Sequence, residues 1–435
     1  MKKKIDVSDL KQGMYVRELD CPWRETPFPF QGFEIRTHDE LEMLKGHCRH
    51  VYIDTVLGDD IKSYPSLGVV HEGTGRVKAK EEEGKRLLVD ILGKTSIVQH
   101  RQPRYQDQVT LEEEIGPARE VDLKARVMIS DMMEDARLGK SLDSPEVKYV
   151  VTDLTKSILR NPDALVCLTH LKNKDDYTAL HCLRVSILAL AFGRHLGLEK
   201  EALNIVGIGG LLADIGKSKI PSQILNKPES LTAQEYELVR NHVPRGVEIL
   251  ENTKGIPAEA IKTVQYHHEW YDGSGYMKGL KGDAIGLQGL MGGIIDWYDA
   301  VTSERPYRSA ISPTKALTSM YKRRNRNFHP TLVEKFVECM GIYPIGSVVE
   351  FHTREVGVVL TGDRARRLSP KVAVVLDSEK KPYLSRTKLV ELRAQADDTP
   401  SKGLEISRVL PAGAYGINPT NYLLSGDPKA PYTEC

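Results

Sequence analysis

Nowhere in this chain do two cysteines stand as a CxxC pair. Cys21, Cys48, Cys167, Cys182, Cys339 and Cys435 are far apart, which argues against a disulfide framework and against a cysteine zinc site. No stretch approaches the roughly eighteen uninterrupted apolar residues of a membrane helix, so no membrane span is expected. The opening MKKKIDVSDL is basic but lacks the apolar segment of a signal peptide, and the expected location is cytoplasmic. Neither sign of charge dominates: 61 Lys and Arg against 60 Asp and Glu leave a formal net charge of +1. A long non-specific nucleic-acid surface needs more surplus than that, and direct DNA binding is not expected.

What is present fits an ordinary globular chain, with 40% hydrophobic and 28% charged residues. At 435 residues it is long enough for two or three units, each with its own core. The fold class expected is multidomain α+β. A mixed accessory domain with a linking helix is expected over 1–135, a helical domain over 144–340, a small β-rich region over 345–395, and a loosely structured Gly/Pro/Asn-rich tail over 396–435. In the first domain, Val51 to Ile53 and Arg86 to Leu92 are short strand-like runs, and Lys78 to Arg86 is a solvated charged span. A second charged span, Glu112 to Arg126, reads as the exit into the linking helix.

From Ser144 the apolar residues follow a helical period. His181 to Leu198 is an amphipathic run with Gly197 as a stop, and Glu201 to Asp214 is apolar enough for a central buried helix, although Gly207, Gly209 and Gly210 weaken it. Thr232 with Glu235 forms a capping-box signature, and Ser312 with Pro313 opens another helix. After Phe336, GSVVEF, EVGVVL and KVAVVL read as strands.

Imidazoles and carboxylates concentrate on these helices and their ends: His181, Asp214, His242, His267, His268 and Asp296. Such a nitrogen and oxygen donor set suits Fe, Mn, Zn or Ni, and a carboxylate can bridge two ions. The neighbours His267 and His268 point about a quarter-turn apart and can approach a site from two directions. The loop YDGSGY that follows leaves room for a phosphate. Asp296 and Asp299 share a helical face, so one can be a ligand while the other orients a neighbour. No short motif of the HExxH kind occurs.

Five ordered blocks go further. YTALHCLRV (177–185), LLADIGKSKIPSQILNKP (211–228), LTAQEYELVRNHVPRGVEIL from Leu231, QYHHEWYDGSGYMKGLKGDAI (265–285) and IIDWYDAVTSERPYRSAISPTKAL (294–317) together resemble the HD-GYP family of cyclic di-GMP phosphodiesterases. KIDVSDLKQGMYVRELDCPW resembles the small accessory domain that often precedes it. The resemblance implies a helical metal-site domain in which His181, Asp214, His242, His267, His268 and Asp296 hold divalent metal, two ions at most, with Asp214 bridging. It implies that Lys217 contacts a phosphate, that Arg305 and Arg308 support the nucleotide side, and that the loop residues Asp272, Gly273, Gly275 and Tyr276 lie against substrate. The implied substrate is cyclic di-GMP, and the implied products are pGpG or GMP.

The sequence departs from the family in two places. The HD dyad is AD, with Ala213 where a metal-binding histidine belongs, and GYP is GYM, with Met277 in place of the proline. Tyr177 also stands where some members carry a glutamate, so a third metal is not expected. With every other donor retained, the leading expectation is a phosphodiesterase impaired by Ala213. Its rivals are a non-catalytic module that binds metal and nucleotide and acts through a signalling partner, and a phosphohydrolase of another nucleotide. The linking helix is compatible with a homodimer, without a residue pattern that assigns one.

Overall fold

The structure is a computed structural model that describes residues 2–21, 26, 28, 32–36, 38–59, 105–169, 177–303, 310–361, 370–383, 388–391, 405–411 and 413–423. The strand expected at Arg86 to Leu92 and the charged span Lys78 to Arg86 lie outside these residues. The chain divides into two compact units, Met1–Lys80 and Glu81–Cys435.

The first unit is a small mixed domain. Strands β1 (Lys2–Asp6), β2 (Tyr15–Leu19), β3 (Phe33–Glu34) and β4 (His50–Asp54) form an antiparallel sheet in the order β1-β4-β2-β3, and helix α1 (His38–His47) precedes β4. The expected strand at Val51 to Ile53 is the middle of β4. Its alternation places Val51 and Ile53 in a core with Ile5, Val16, Ile35 and Leu44.

The first described helix of the second unit is α2 (Leu111–Leu138), where a linking helix was expected. Thr110 and Glu113 cap its start reciprocally, and Gly139, at φ +77°, ends it. Most of its charges face outward, but Ala118, Ala125, Met128, Ile129 and Met132 are buried, as are Glu114 and Asp122. Buried Glu114 accepts from Arg160 Nε and Nη2, both at 2.7 Å, and from Ser157 Oγ at 2.7 Å. This helix is therefore part of the bundle, packed on α3 (Ser144–Arg160), α4 (Pro162–Leu168) and α5 (Tyr177–His195).

At the centre, α5 packs along α6 (Lys200–Leu212). Two of the three α6 glycines that weaken its helix signal are where the two helices touch: a Cβ on Gly210 would stand 3.0 Å from Ser186 Cα, and Ser186 Oγ donates to Gly207 O at 2.8 Å. The remaining helices follow as α7 (Ser222–Leu225), α8 (Ala233–Arg240), α9 (His242–Glu251), α10 (Ala258–Tyr266), α11 (Gly286–Thr302), α12 (Pro313–Lys322) and α13 (Pro330–Met340). The caps expected at Thr232 and Ser312 both form.

Beyond the bundle, β5 (Val348–Phe351), β6 (Val356–Thr361), β7 (Lys371–Leu376), β8 (Lys388–Glu391) and β9 (Ile406–Val409) make an antiparallel sheet in the order β8-β7-β6-β5-β9. The three expected strands are β5 to β7. The sheet also reaches into the segment expected to be loose: β9 pairs with β5, and Leu410 and Ile417 cover one face beside Val348 and Val358. A short helix, α14 (Thr420–Leu423), follows. Among the described residues no helix is long and apolar enough to cross a membrane.

Candidate metal centre

Five helices of the bundle bring six donor side chains to one place. His181 lies in the first turns of α5 and Asp214 just past the end of α6. His242 is the first residue of α9, His267 and His268 follow α10, and Asp296 is on α11. The 3-10 turn Ile215–Lys219 presses on the start of α9, where a Cβ on Gly216 would lie 1.9 Å from His242 O. Only glycine permits that approach, which sets Asp214 beside His242.

On one side of Asp214, four donor atoms converge. His242 Nε2 is 3.3 Å from Asp214 Oδ1 and 3.2 Å from His268 Nε2, and His267 Nε2 is 3.5 Å from His242 Nε2 and 3.9 Å from Asp214 Oδ1. His242 Nδ1 donates to Val239 O at 2.7 Å, and His267 Nδ1 donates to the Thr263 and Val264 carbonyls at 3.0 Å. A carbonyl only accepts, so these contacts fix the Nδ1–H tautomer and aim the Nε2 lone pairs inward. Burial pushes the His242 pKa down to about 4 despite the charge of Asp214, and burial also holds His268 well below its ordinary value. Both rings are neutral at pH 7. Asp214 Oδ1, fully buried, has no hydrogen-bond partner. Two imidazole lone pairs that face a buried carboxylate oxygen are costly as they stand and fit a divalent cation.

The other side of Asp214 is different. His181 Nε2 faces Asp296 Oδ1 at 2.9 Å and Asp214 Oδ2 at 3.3 Å, and Lys217 Nζ donates to that same Oδ2 at 2.5 Å. Burial raises the Asp214 pKa, but Lys217, His181 and His242 outweigh it and hold the carboxyl well below the usual range. Behind the ring, His181 Nδ1 donates to Asp299 Oδ2 at 2.7 Å, while Arg184 Nε and Nη2 donate to the two Asp299 oxygens at 2.7 and 2.9 Å. Asp299 is thus the orienting neighbour and Asp296 faces the donors. Ala213 is buried next to Asp214 and offers this side no donor atom. His181, Asp214 and Asp296 still bring a nitrogen and two oxygens within 4.8 Å of one another, as do the four donors opposite.

The comparisons with known proteins agree with this geometry. The HD domain family matches residues 163–332, and a domain of unknown function, DUF3391, matches residues 2–159. Cyclic di-GMP phosphodiesterase PA4108 of Pseudomonas aeruginosa is 33% identical over 383 residues, covering 88% of this chain and 87% of that protein. The chain belongs to the HD-GYP family. Similarity to the cyclic di-GMP phosphodiesterase response regulator RpfG of Xanthomonas campestris is 36% over 163 residues, 37% of this chain and 43% of that one. The 3'3'-cGAMP-specific phosphodiesterase 2 of Vibrio cholerae is 34% identical over 162 residues, 37% of this chain and 31% of that one. Family membership together with the His/Asp cluster makes this HD-GYP protein a metal-dependent phosphodiesterase.

The HD-GYP loop is built tightly against the histidine doublet. Tyr276 stacks on His268, with ring centroids 4.7 Å apart, and its N–H donates to His268 O at 3.1 Å. A Cβ on Gly275 would stand 2.3 Å from Trp270 N, so this glycine serves close packing. Asp272, expected beside substrate, accepts from Ser274 N at 2.9 Å and Ser274 Oγ at 2.6 Å, which closes its own turn, and Gly273 sits in that turn at φ +85°. Arg305, Arg308 and the side chain of Tyr177 lie outside the described residues.

Sequence reasoning missed three contributors. Arg184 braces Asp299. Buried Glu269 accepts from Lys278 N at 2.7 Å and Leu280 N at 3.0 Å, pinning the loop. Arg240 lies 4.5 Å from the Tyr276 ring centroid. Arg184 stands three residues after His181 on the same helical face, and both side chains bond Asp299; the other two carry no signal in the sequence.

Proposed function

We propose that this chain hydrolyses cyclic di-GMP to pGpG or GMP, using one divalent cation held by Asp214, His242, His267 and His268. The observation that carries the reading is the convergence of three imidazole nitrogens on the unpartnered Asp214 Oδ1. The substrate is supported by the relatives, several of which are cyclic di-GMP phosphodiesterases.

A bound divalent cation supplies Lewis-acid charge for the scissile phosphate and lowers the pKa of a coordinated water. The donor set suits manganese or iron as well as zinc. Lys217, beside Asp214 and partly open, brings a fixed positive charge for phosphate oxygens as negative charge grows on them. Tyr276 and Arg240 wall the doublet side of the site. On the His181 side, Lys217 and Arg184 already offset the carboxylates, and Ala213 adds no donor. That side keeps three donors against four at the doublet, one of them already paired with Lys217, which is why the reading is one ion and not two.

The test is full-length protein reconstituted with manganese or iron and assayed with cyclic di-GMP, beside Asp214→Ala and Ala213→His. The reading expects metal-dependent cleavage that Asp214→Ala abolishes. Tight nucleotide binding without cleavage would overturn hydrolysis and leave the sensing module that Ala213 also suits.

A further inference from the structure

The first unit brings together two cysteines that the sequence keeps 27 positions apart. Cys21 follows the end of β2 and Cys48 stands between α1 and β4, and their sulfurs are 3.5 Å apart. Cys48 is a member of the buried core and Cys21 packs against it. Asp20 is held in place beside them: its Oδ2 accepts from Arg49 N at 2.9 Å and His50 N at 3.1 Å. One carboxylate oxygen and the two sulfurs all lie within 4.8 Å of one another. The His50 ring adds a nitrogen 3.3 Å from Asp20 Oδ2.

We propose that Asp20, Cys21 and Cys48 form a second metal site, for zinc or a similarly thiophilic divalent cation, independent of the catalytic centre. The sulfur separation is the main geometric argument. Two Zn–S bonds of about 2.3 Å at a tetrahedral angle place their sulfurs roughly 3.7 Å apart, whereas a disulfide requires about 2.0 Å. Backbone amides hold the carboxylate in position before any ion arrives. The fourth position falls to His50 or to water. Thiolate donors select zinc over manganese, so the two sites of the chain differ in the metal they prefer.

The role is structural. The site ties the end of β2 to the α1–β4 junction in a unit whose hydrophobic core is small, and small domains commonly gain stability from such a clip. The absence of a CxxC spacing concealed it, because the two thiols meet through the pairing of β2 with β4 and not through local sequence.

Cobalt(II) titration of the reduced, metal-stripped full chain tests the proposal. The catalytic centre has only nitrogen and oxygen donors, so a thiolate-to-cobalt charge-transfer band can arise only where cysteine ligates. The band is expected to grow to saturation, to be displaced by zinc, and to be lost in Cys21→Ser and in Cys48→Ser. It is expected to survive His267→Ala, and the half-buried position of Cys21 makes Cys21→Ser the milder variant for folding. No band from natural protein whose thiols titrate as free would overturn the proposal. So would a band unchanged in folded Cys21→Ser.

Discussion

Ala213 is buried one residue before the carboxylate that both sides of the centre share, and it changes what its own side can hold. Opposite it, the four donors around Asp214 Oδ1 are complete. On its own side, a nitrogen and two carboxylate oxygens remain, with Lys217 paired to one of them. Ala213→His should therefore raise manganese binding from about one ion per chain to about two, with at least a tenfold rise in cyclic di-GMP turnover, since even changes behind a metal ligand commonly shift affinity or activity by roughly 10- to 100-fold. Dialysis against manganese followed by elemental analysis reads the first effect; unchanged stoichiometry would mean that Ala213 is not the missing donor. Asp299 supports a separate expectation. Removing it leaves Arg184, only 8% exposed, without its carboxylate, so Asp299→Ala should lower stability by about 3–5 kcal/mol in urea unfolding. The six candidate donors are spread over residues 181–296 with no short motif joining them, so it is the resemblance of the five ordered blocks that picks them out. Arg184 and Glu269 were not legible, because a buried salt bridge or a side-chain brace on a distant loop leaves no periodic mark in one sequence.

At the scale of elements, the site depends on how closely the Ile215–Lys219 turn can seat on α9. Gly216→Ala would place a Cβ 1.9 Å from His242 O, and something must move. The expected result is at least a tenfold loss of manganese affinity, by the same scale as other changes that reorient ligands, with far-UV circular dichroism still helical. Gly116→Ala is the matching control: beyond its chain neighbours and the adjacent helix backbone nothing lies within 4 Å of its added Cβ, and the helix should gain about 0.5–1 kcal/mol. Helix ends with side-chain caps, as at Thr232 and Ser312, were readable from the sequence because the capping hydrogen bonds are local. The inward face of α2 is hard to read for the opposite reason. Its outward charges dominate the sequence, while the inward stripe is made of alanine, methionine and Ile129 plus two acids neutralised by arginines, Glu114 by Arg160 and Asp122 by Arg126. Strand β9 was missed because four residues that only complete an existing sheet carry little pattern of their own.

At the scale of the whole molecule, the two units give the metal a restricted effect. Manganese at a hundredfold excess over its dissociation constant should stabilise the helical unit by about 2.7 kcal/mol through mass action. The transition of the N-terminal unit should not follow manganese, because thiolate donors disfavour that ion. Differential scanning calorimetry with and without manganese checks this; a shift of the N-terminal transition alone would contradict it. The most direct test of the account is a crystal of the natural protein loaded with manganese, with the anomalous signal measured at the manganese edge. The account predicts a single strong peak in the helical unit, ringed by Asp214 Oδ1 and the Nε2 atoms of His242, His267 and His268. A peak of equal strength between His181 and Asp296, or none at the doublet, would contradict it.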